Sequence, residues 1–267
     1  MRLFFKIIIF LFLSLSIIYY PLSIILVYSQ QPIDDYLYQY EQYQKTYQEF
    51  TSSRDQYLKY QTLTSQDEAI EATKKIILQR NQVLRTYFLA LQWKLRNTSG
   101  LVGSSKQEEL ISFLDKEITW LEKETEQINS LTNPSLNDLF VISDRLEAKS
   151  NQLKSLSYQS LSLILIGKMK NLQADSTSLT TLLSDQINNI EATKSAELKE
   201  WLKEVENKNY LSQKEIELAQ QSQELLGKKS KETGLLSIYS EIQLNLEKAK
   251  EYLSQALAFQ KEIYNGL

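Results

Sequence analysis

Cysteine and histidine are both absent from the 267 residues, and glycine and proline number only 6 and 3. Without cysteine there is no disulfide, no thiol nucleophile and no cysteine for lipid attachment, which excludes bacterial lipoprotein anchoring. Without histidine the commonest general base and the commonest metal ligand are missing together. A zinc site, a Ser-His-Asp triad and the Glu-x-x-His di-iron motif of helical bundles therefore cannot be built. No Gly-rich phosphate loop, calcium loop or nucleophile elbow stands in the sequence. No catalytic, cofactor-binding or metal site is expected, and the chain is read as a non-enzyme.

The shortage of glycine and proline bears on the fold. Turns draw on both residues for their backbone angles, so few of either means few turns and long elements. Hydrophobic residues make up 42% and charged residues 24%, too apolar a mixture for a disordered chain. Gln, Leu, Lys and Glu are abundant, and all four favour helix. The expected fold is all-α, with long amphipathic helices in an elongated antiparallel helical bundle or coiled coil.

The formal charge is −3, and −5 once Arg2 and Lys6 are set aside. A mildly acidic body does not suit nucleic acid as a partner. Arg2 and Lys6 flank an apolar run over residues 7–28, interrupted by Ser14, Ser16, Pro21 and Ser23. Residues 1–29 read as a signal peptide cut after Ser29, with Val27 three residues before the cut, or as a retained membrane anchor. Twenty-two helical residues would span about 33 Å, enough to cross a bilayer. Positive residues before the run and Asp34 and Asp35 after it place the body outside the membrane in either case. The expected location is extracellular or on the outer face of the cytoplasmic membrane.

Residues 30–267 then form the helical body, with possible sub-bundles at 30–133 and 134–267. Tyr36, Tyr40, Tyr43, Tyr47, Phe50, Arg54 and Tyr57 recur at steps of four and three, a heptad seam. Ser65 and Glu68 have capping-box spacing and predict a second helix, to about Leu95. Its stripe of Ile70, Thr73, Ile77, Arg80, Leu84, Tyr87 and Leu91 is widened by Ile76, Phe88 and Leu95, as suits a helix with several neighbours. A loop follows at residues 97–103. Ser105 with Glu108 predicts a third helix, carrying Ile111, Leu114, Ile118, Leu121, Thr125 and Ile128.

Asn133-Pro134 should end that helix and open the next, with Asn133 as cap and Pro134 as first residue. The fourth helix shows Leu139, Ile142, Leu146, Leu153, Leu156 and Leu163. A turn is expected between Gly167 and Ser178, then a stripe of Leu172, Leu179, Leu183 and Ile190. That stripe slips phase near Lys194 and resumes at Leu198, Trp201 and Val205. Residues 207–209 read as a weak break, Ser212 with Glu215 as another capping box, and residues 227–234 as a connector. The last helix is regular, through Leu235, Ile238, Ile242, Asn245, Ala249, Tyr252, Ala256, Phe259 and Ile263.

The aromatic stripe of Tyr36, Tyr40, Tyr43, Tyr47, Phe50 and Tyr57 is the candidate interaction surface, since tyrosine buries area with its ring and bonds with its hydroxyl. Tyrosines at helical spacing equally suit a core seam, and Tyr38 and Tyr60 lie off it. The apolar patch at residues 160–166 is too short to cross a membrane and reads as buried helix. Lys228, Lys229 and Lys231 read as a solvated connector. Asn97-Thr98-Ser99 matches a glycosylation acceptor. Acidic pairs such as Glu122 with Glu126 do not stand out from ordinary charged helix faces.

The run YLKYQTLTSQDEA at residues 57–69, and the segment over residues 79–95, resemble exported helical proteins of uncultured bacteria whose functions are not established. No site residue follows from that resemblance. In periodicity the body is also similar to coiled-coil and spectrin-like bundles, a likeness of packing that implies no function. The expected role is an extracytoplasmic interaction or scaffold protein with a protein partner or self-association. Contact with membrane would run through residues 1–29 if uncleaved. The alternative is a helical bundle that binds an apolar ligand.

Overall fold

The computed structural model describes residues 31–189, 192–227 and 232–267. The targeting segment, Ile190 and the run of Lys228, Lys229 and Lys231 lie outside the described residues. The fold is all-α, with six α-helices and no strand among the described residues. They are α1 (Gln31–Tyr60), α2 (Leu63–Arg96), α3 (Ser105–Ser130), α4 (Leu136–Asn188), α5 (Ala192–Leu226) and α6 (Glu232–Gly266). A single 3₁₀ turn, Ser99–Leu101, stands between α2 and α3.

The helix starts follow local hydrogen-bond chemistry. Gln61 breaks the chain after α1 with a left-handed φ of 50°. Thr62 then caps α2: its hydroxyl accepts from the Ser65 N–H, and the Ser65 hydroxyl accepts from the Thr62 N–H. The reciprocal box is Thr62 with Ser65, three residues before the predicted Ser65 with Glu68. Ser135, not Asn133, caps α4. The Asp138 carboxylate accepts from the Ser135 N–H at 2.8 Å, and the Ser135 hydroxyl accepts from the Asp138 N–H. Asn133 takes a left-handed φ of 53°, which asparagine tolerates, and turns the chain ahead of Pro134.

The fourth helix does not turn between Gly167 and Ser178; it continues to Asn188. Hydroxyls at the end of the expected turn and just beyond it find partners within helical geometry. Thr177, Thr180 and Thr181 each donate to the carbonyl four residues back. Nor does α5 break at residues 207–209 or restart at Ser212, whose side chain is fully buried inside the helix. The chain changes helix between Asn188 and Ala192, ahead of the phase slip expected near Lys194.

The helices form two compact units. Unit 1 holds the described residues up to Lys94 together with Glu108–Ser157, and unit 2 holds Leu95–Gln107 with Tyr158–Leu267. In unit 1, α2 is the central element. It meets α1 through Gln79 with Gln39, α3 through Arg85 with Glu122 and Gln92 with Asp115, and α4 through Arg80 with Ser143. The widened stripe of α2 is the sequence cause of those several neighbours: Ile76, Ile77, Tyr87, Phe88 and Leu91 are all buried. Burying a side chain of this size contributes about 1.5–3 kcal/mol. On α3, Leu114, Ile118, Leu121 and Ile128 are buried as the spacing predicts. So are Leu139, Ile142, Leu146, Leu153 and Leu156 on α4.

Unit 2 is an antiparallel three-helix arrangement of the remainder of α4 with α5 and α6. Asn209 of α5 meets Ser176 and Thr180 of α4, while Gly227, just past α5, lies level with Gln159, so α4 and α5 run in opposite directions. Tyr158 stacks on Tyr239, and Gln260 meets Ser176, so α4 and α6 run together. One apolar cluster gathers Ile166, Ile216, Leu226, Leu235 and Ile242, and another Leu183, Ile187, Leu198, Val205 and Ile263. The seam here departs from expectation in one respect. Leu172 and Leu179 are exposed, because the buried row of α4 runs instead through Thr180, Leu183 and Ile187.

Candidate functional site

The predicted aromatic stripe divides by burial. Tyr36, Tyr43 and Phe50 are buried in unit 1, while Tyr40, Tyr47 and Tyr57 are half-buried. The Tyr36 ring lies 5.5 Å from that of Tyr87 on α2 and 6.2 Å from that of Tyr40. Tyr47 lies 6.3 Å from Tyr43 and 6.4 Å from Phe50. These are separations at which aromatic rings attract edge to face. Burial pushes the Tyr36 and Tyr43 hydroxyls well above the usual tyrosine range, Tyr43 against the opposing pull of Arg80. The off-seam residues Tyr38 and Tyr60 are exposed.

Arg80, read from the sequence as a seam residue, is buried at 4% exposure. It donates to the Ser143 hydroxyl at 3.3 Å. Burial lowers its guanidinium to about 10, with Tyr43 and Glu147 acting the other way. No feature of the sequence pattern separates this arginine from a solvated one except its place in the apolar stripe.

Unit 2 carries a polar layer between its two apolar clusters. The Ser176 hydroxyl donates to Asn209 Oδ1 at 2.7 Å, and Asn209 Nδ2 donates to Thr180 Oγ1 at 3.1 Å. Gln260 Nε2 donates to the Ser176 carbonyl at 2.8 Å and to Thr180 Oγ1 at 2.9 Å. Thr180, Asn209 and Gln260 are buried. The sequence marks this layer only where the expected turn between Gly167 and Ser178 takes in Ser176 and where the weak break at residues 207–209 takes in Asn209; Thr180 and Gln260 carry no such mark.

A cleft of about 600 Å³ also lies within unit 2. The turn between α2 and α3 supplies Leu101, the first turn of α3 supplies Lys106, α4 supplies Leu163, Ile166 and Lys170, and α5 supplies Gln220, Gln223 and Glu224. Two glycines set its wall. A Cβ on Gly100 would overlap the Gly167 carbonyl, and one on Gly167 would press into the Leu101 side chain at 2.5 Å. Gly103 closes the turn with a φ of 77°. Leu163 and Ile166 come from the patch at residues 160–166, which is buried helix as read.

The outer faces of unit 2 carry exposed apolar pairs seven residues apart. They are Leu172 with Leu179 on α4, Leu218 with Leu225 on α5, and Leu257 with Tyr264 on α6, each at least 37% exposed. Among the described residues no group of three acidic side chains could hold a metal ion, and no helix is long and apolar enough to cross a membrane. Glu122, one of the acidic residues considered as a possible carboxylate pair, is engaged by Arg85 at 2.7 Å. Asn97 of the glycosylation triplet is exposed beside the 3₁₀ turn. No protein-family model, curated protein or solved structure matches the chain.

Proposed function

We propose that this protein is an exported, non-enzymatic interaction or scaffold protein whose outer helix faces dock on helices of another chain. One observation carries the reading: each helix of unit 2 displays a pair of exposed apolar residues at heptad spacing. Single exposed leucines are ordinary on a protein surface, but a pair at heptad spacing on every helix of one unit is the interval that helix-on-helix docking reads. The partner is then a helical segment with its own apolar row, from a second copy or another protein. The test is native mass spectrometry of residues 30–267, beside a variant carrying Leu179→Gln, Leu225→Gln and Leu257→Gln. An assembly lost in the variant at unchanged melting temperature supports the reading. Monomers alone for both would remove self-association.

A second reading, a bundle that binds an apolar ligand, is favoured by the cleft in unit 2. Its volume lies within the usual range for small-molecule sites, about 300–1,000 Å³. Extra mass retained on the monomer in the same experiment would favour it.

A further inference from the structure

We infer that the tip of the hairpin formed by α1 and α2 is a membrane-contact site, entering the interfacial layer of a lipid bilayer through Leu58, Tyr60 and Leu63. The inference concerns unit 1 alone and is independent of the docking faces of unit 2. Two features meet at the tip. The first is its reach. Lys74 Nζ of α2 donates to the carbonyl of Leu131, just past the end of α3. α2 begins eleven residues earlier, at Leu63, so its first turns run about 16 Å beyond that level. Residues 58–64 are all exposed. The second feature is composition. Leu58, Tyr60 and Leu63 are 44%, 59% and 80% exposed, three large hydrophobic side chains within six residues. Between Gln56 and Gln66 the only charged side chain is Lys59, on a chain whose formal charge is −3. Lys59 Nζ lies 4.9 Å from the centre of the Tyr60 ring.

This set of side chains matches a bilayer surface layer by layer. Leucine suits the acyl boundary, and tyrosine sits at headgroup level with its ring apolar and its hydroxyl wet. A lysine buries its stem while its ammonium meets the lipid phosphates. The backbone of the turn is also prepared for that layer. The Gln61 N–H donates to the Tyr57 carbonyl at 3.0 Å, and the Thr62 and Ser65 N–H groups donate to each other's side-chain hydroxyls. Donors already bonded cost little when water thins around them. The size of the patch argues against a protein occupant. A tip of two helices offers roughly a few hundred Å², whereas a specific protein interface buries about 1,000 Å² or more in total. A bilayer sets no such minimum, since each inserted side chain adds its own transfer free energy.

The absence of cysteine allows a single reporter to be placed. Thr64→Cys, at the tip but outside the three hydrophobic side chains, would carry a polarity-sensitive fluorophore in residues 30–267, so that the apolar run at residues 7–28 contributes nothing. Val102→Cys, equally exposed at another turn, serves as control. On vesicles of equal parts phosphatidylcholine and phosphatidylglycerol, at millimolar lipid, emission from position 64 should at least double while that from position 102 stays constant. Adding Leu58→Gln, Tyr60→Gln and Leu63→Gln should abolish the rise at wild-type melting temperature, since none of the three is buried. Should the triple variant melt early, Leu63→Gln alone decides. No rise at position 64, an equal rise at both positions, or a rise that survives the replacements would overturn the inference. So would an assembly that the replacements dissolve while lipid has no effect, which would assign the tip to a protein partner.

Discussion

Two buried side chains in this protein pull against each other as pH rises. Tyr239, stacked on Tyr158 at 4.8 Å, is held up to about 12 by burial. An unfolded tyrosine ionises near 10, so between the two values the folded state keeps a proton that the unfolded state loses. The stability from Tyr239 is thus fully present below pH 10 and declines as pH climbs to 12, by about 2–3 kcal/mol. Tyr36 and Tyr43 act in the same direction. Arg80 acts in the opposite one: its folded value near 10 lies below its ordinary 12.5, so the unfolded state binds the extra proton over that window. The tyrosines outnumber it, and alkaline unfolding should begin close to pH 10. Urea titrations from pH 8 to 11.5 should show Tyr239→Phe losing less stability than wild type; an equal loss would dismiss Tyr239 as a contributor. At neutral pH Arg80→Met should be neutral or stabilising by up to about 4 kcal/mol, because it removes a buried charge and retains most of the volume. Arg80→Ala should cost about 2–5 kcal/mol by leaving a cavity. If both variants lose stability alike, the guanidinium's own bonds hold the core.

At the scale of the element, caps and close approaches decide where helices start and what they can touch. Thr62→Ala should destabilise unit 1 by about 1 kcal/mol in chemical denaturation, since α2 loses its reciprocal cap; no change would show that Ser65 suffices alone. Gly100→Ala should cost about 1–3 kcal/mol, because the new methyl meets backbone that cannot rotate away. The seams of α3, of the first part of α4 and of α6 are legible in the sequence, because apolar residues at heptad spacing bury wherever a neighbour exists. Leu172 and Leu179 obey the same spacing and yet stand exposed. Periodicity identifies a stripe but not which of two adjacent rows the neighbours will cover. The expected turn between Gly167 and Ser178 and the weak break at residues 207–209 are absent for a related reason. Serine, threonine and asparagine end helices when they bond nearby backbone in non-helical geometry, whereas here the threonines bond the carbonyl four residues back and Ser176 and Asn209 bond across to the facing helix. The cleft was not legible at all, since its lining is drawn from three segments far apart in the chain.

At the scale of the whole molecule, the polar layer of unit 2 bears on how specifically its helices align. Asn209 joins hydroxyls of α4 to the same bundle level that Gln260 of α6 occupies. Asn209→Ala should cost about 1–3 kcal/mol by leaving buried groups without partners. The pair Asn209→Leu with Gln260→Leu should recover much of that loss, as replacing both sides of a buried network can be nearly neutral. What the double variant should forfeit is a unique alignment, because a polar layer penalises helices that slide past one another. Broadened amide resonances in unit 2 at wild-type melting temperature would bear this out; sharp, fully dispersed spectra would refute it.

The division between the units also interleaves them along the chain: Leu95–Gln107 belongs with residues 158–267, although Glu108–Ser157 belongs with what came before. During synthesis the glycine turn therefore emerges long before Gly167, the residue it closes against, has been made. Unit 1 can gather its helices while that turn still waits for a partner. The wall of the cleft is then completed only after Ser157, the last residue of unit 1, has been made, and no single cut in the chain separates one unit intact from the other.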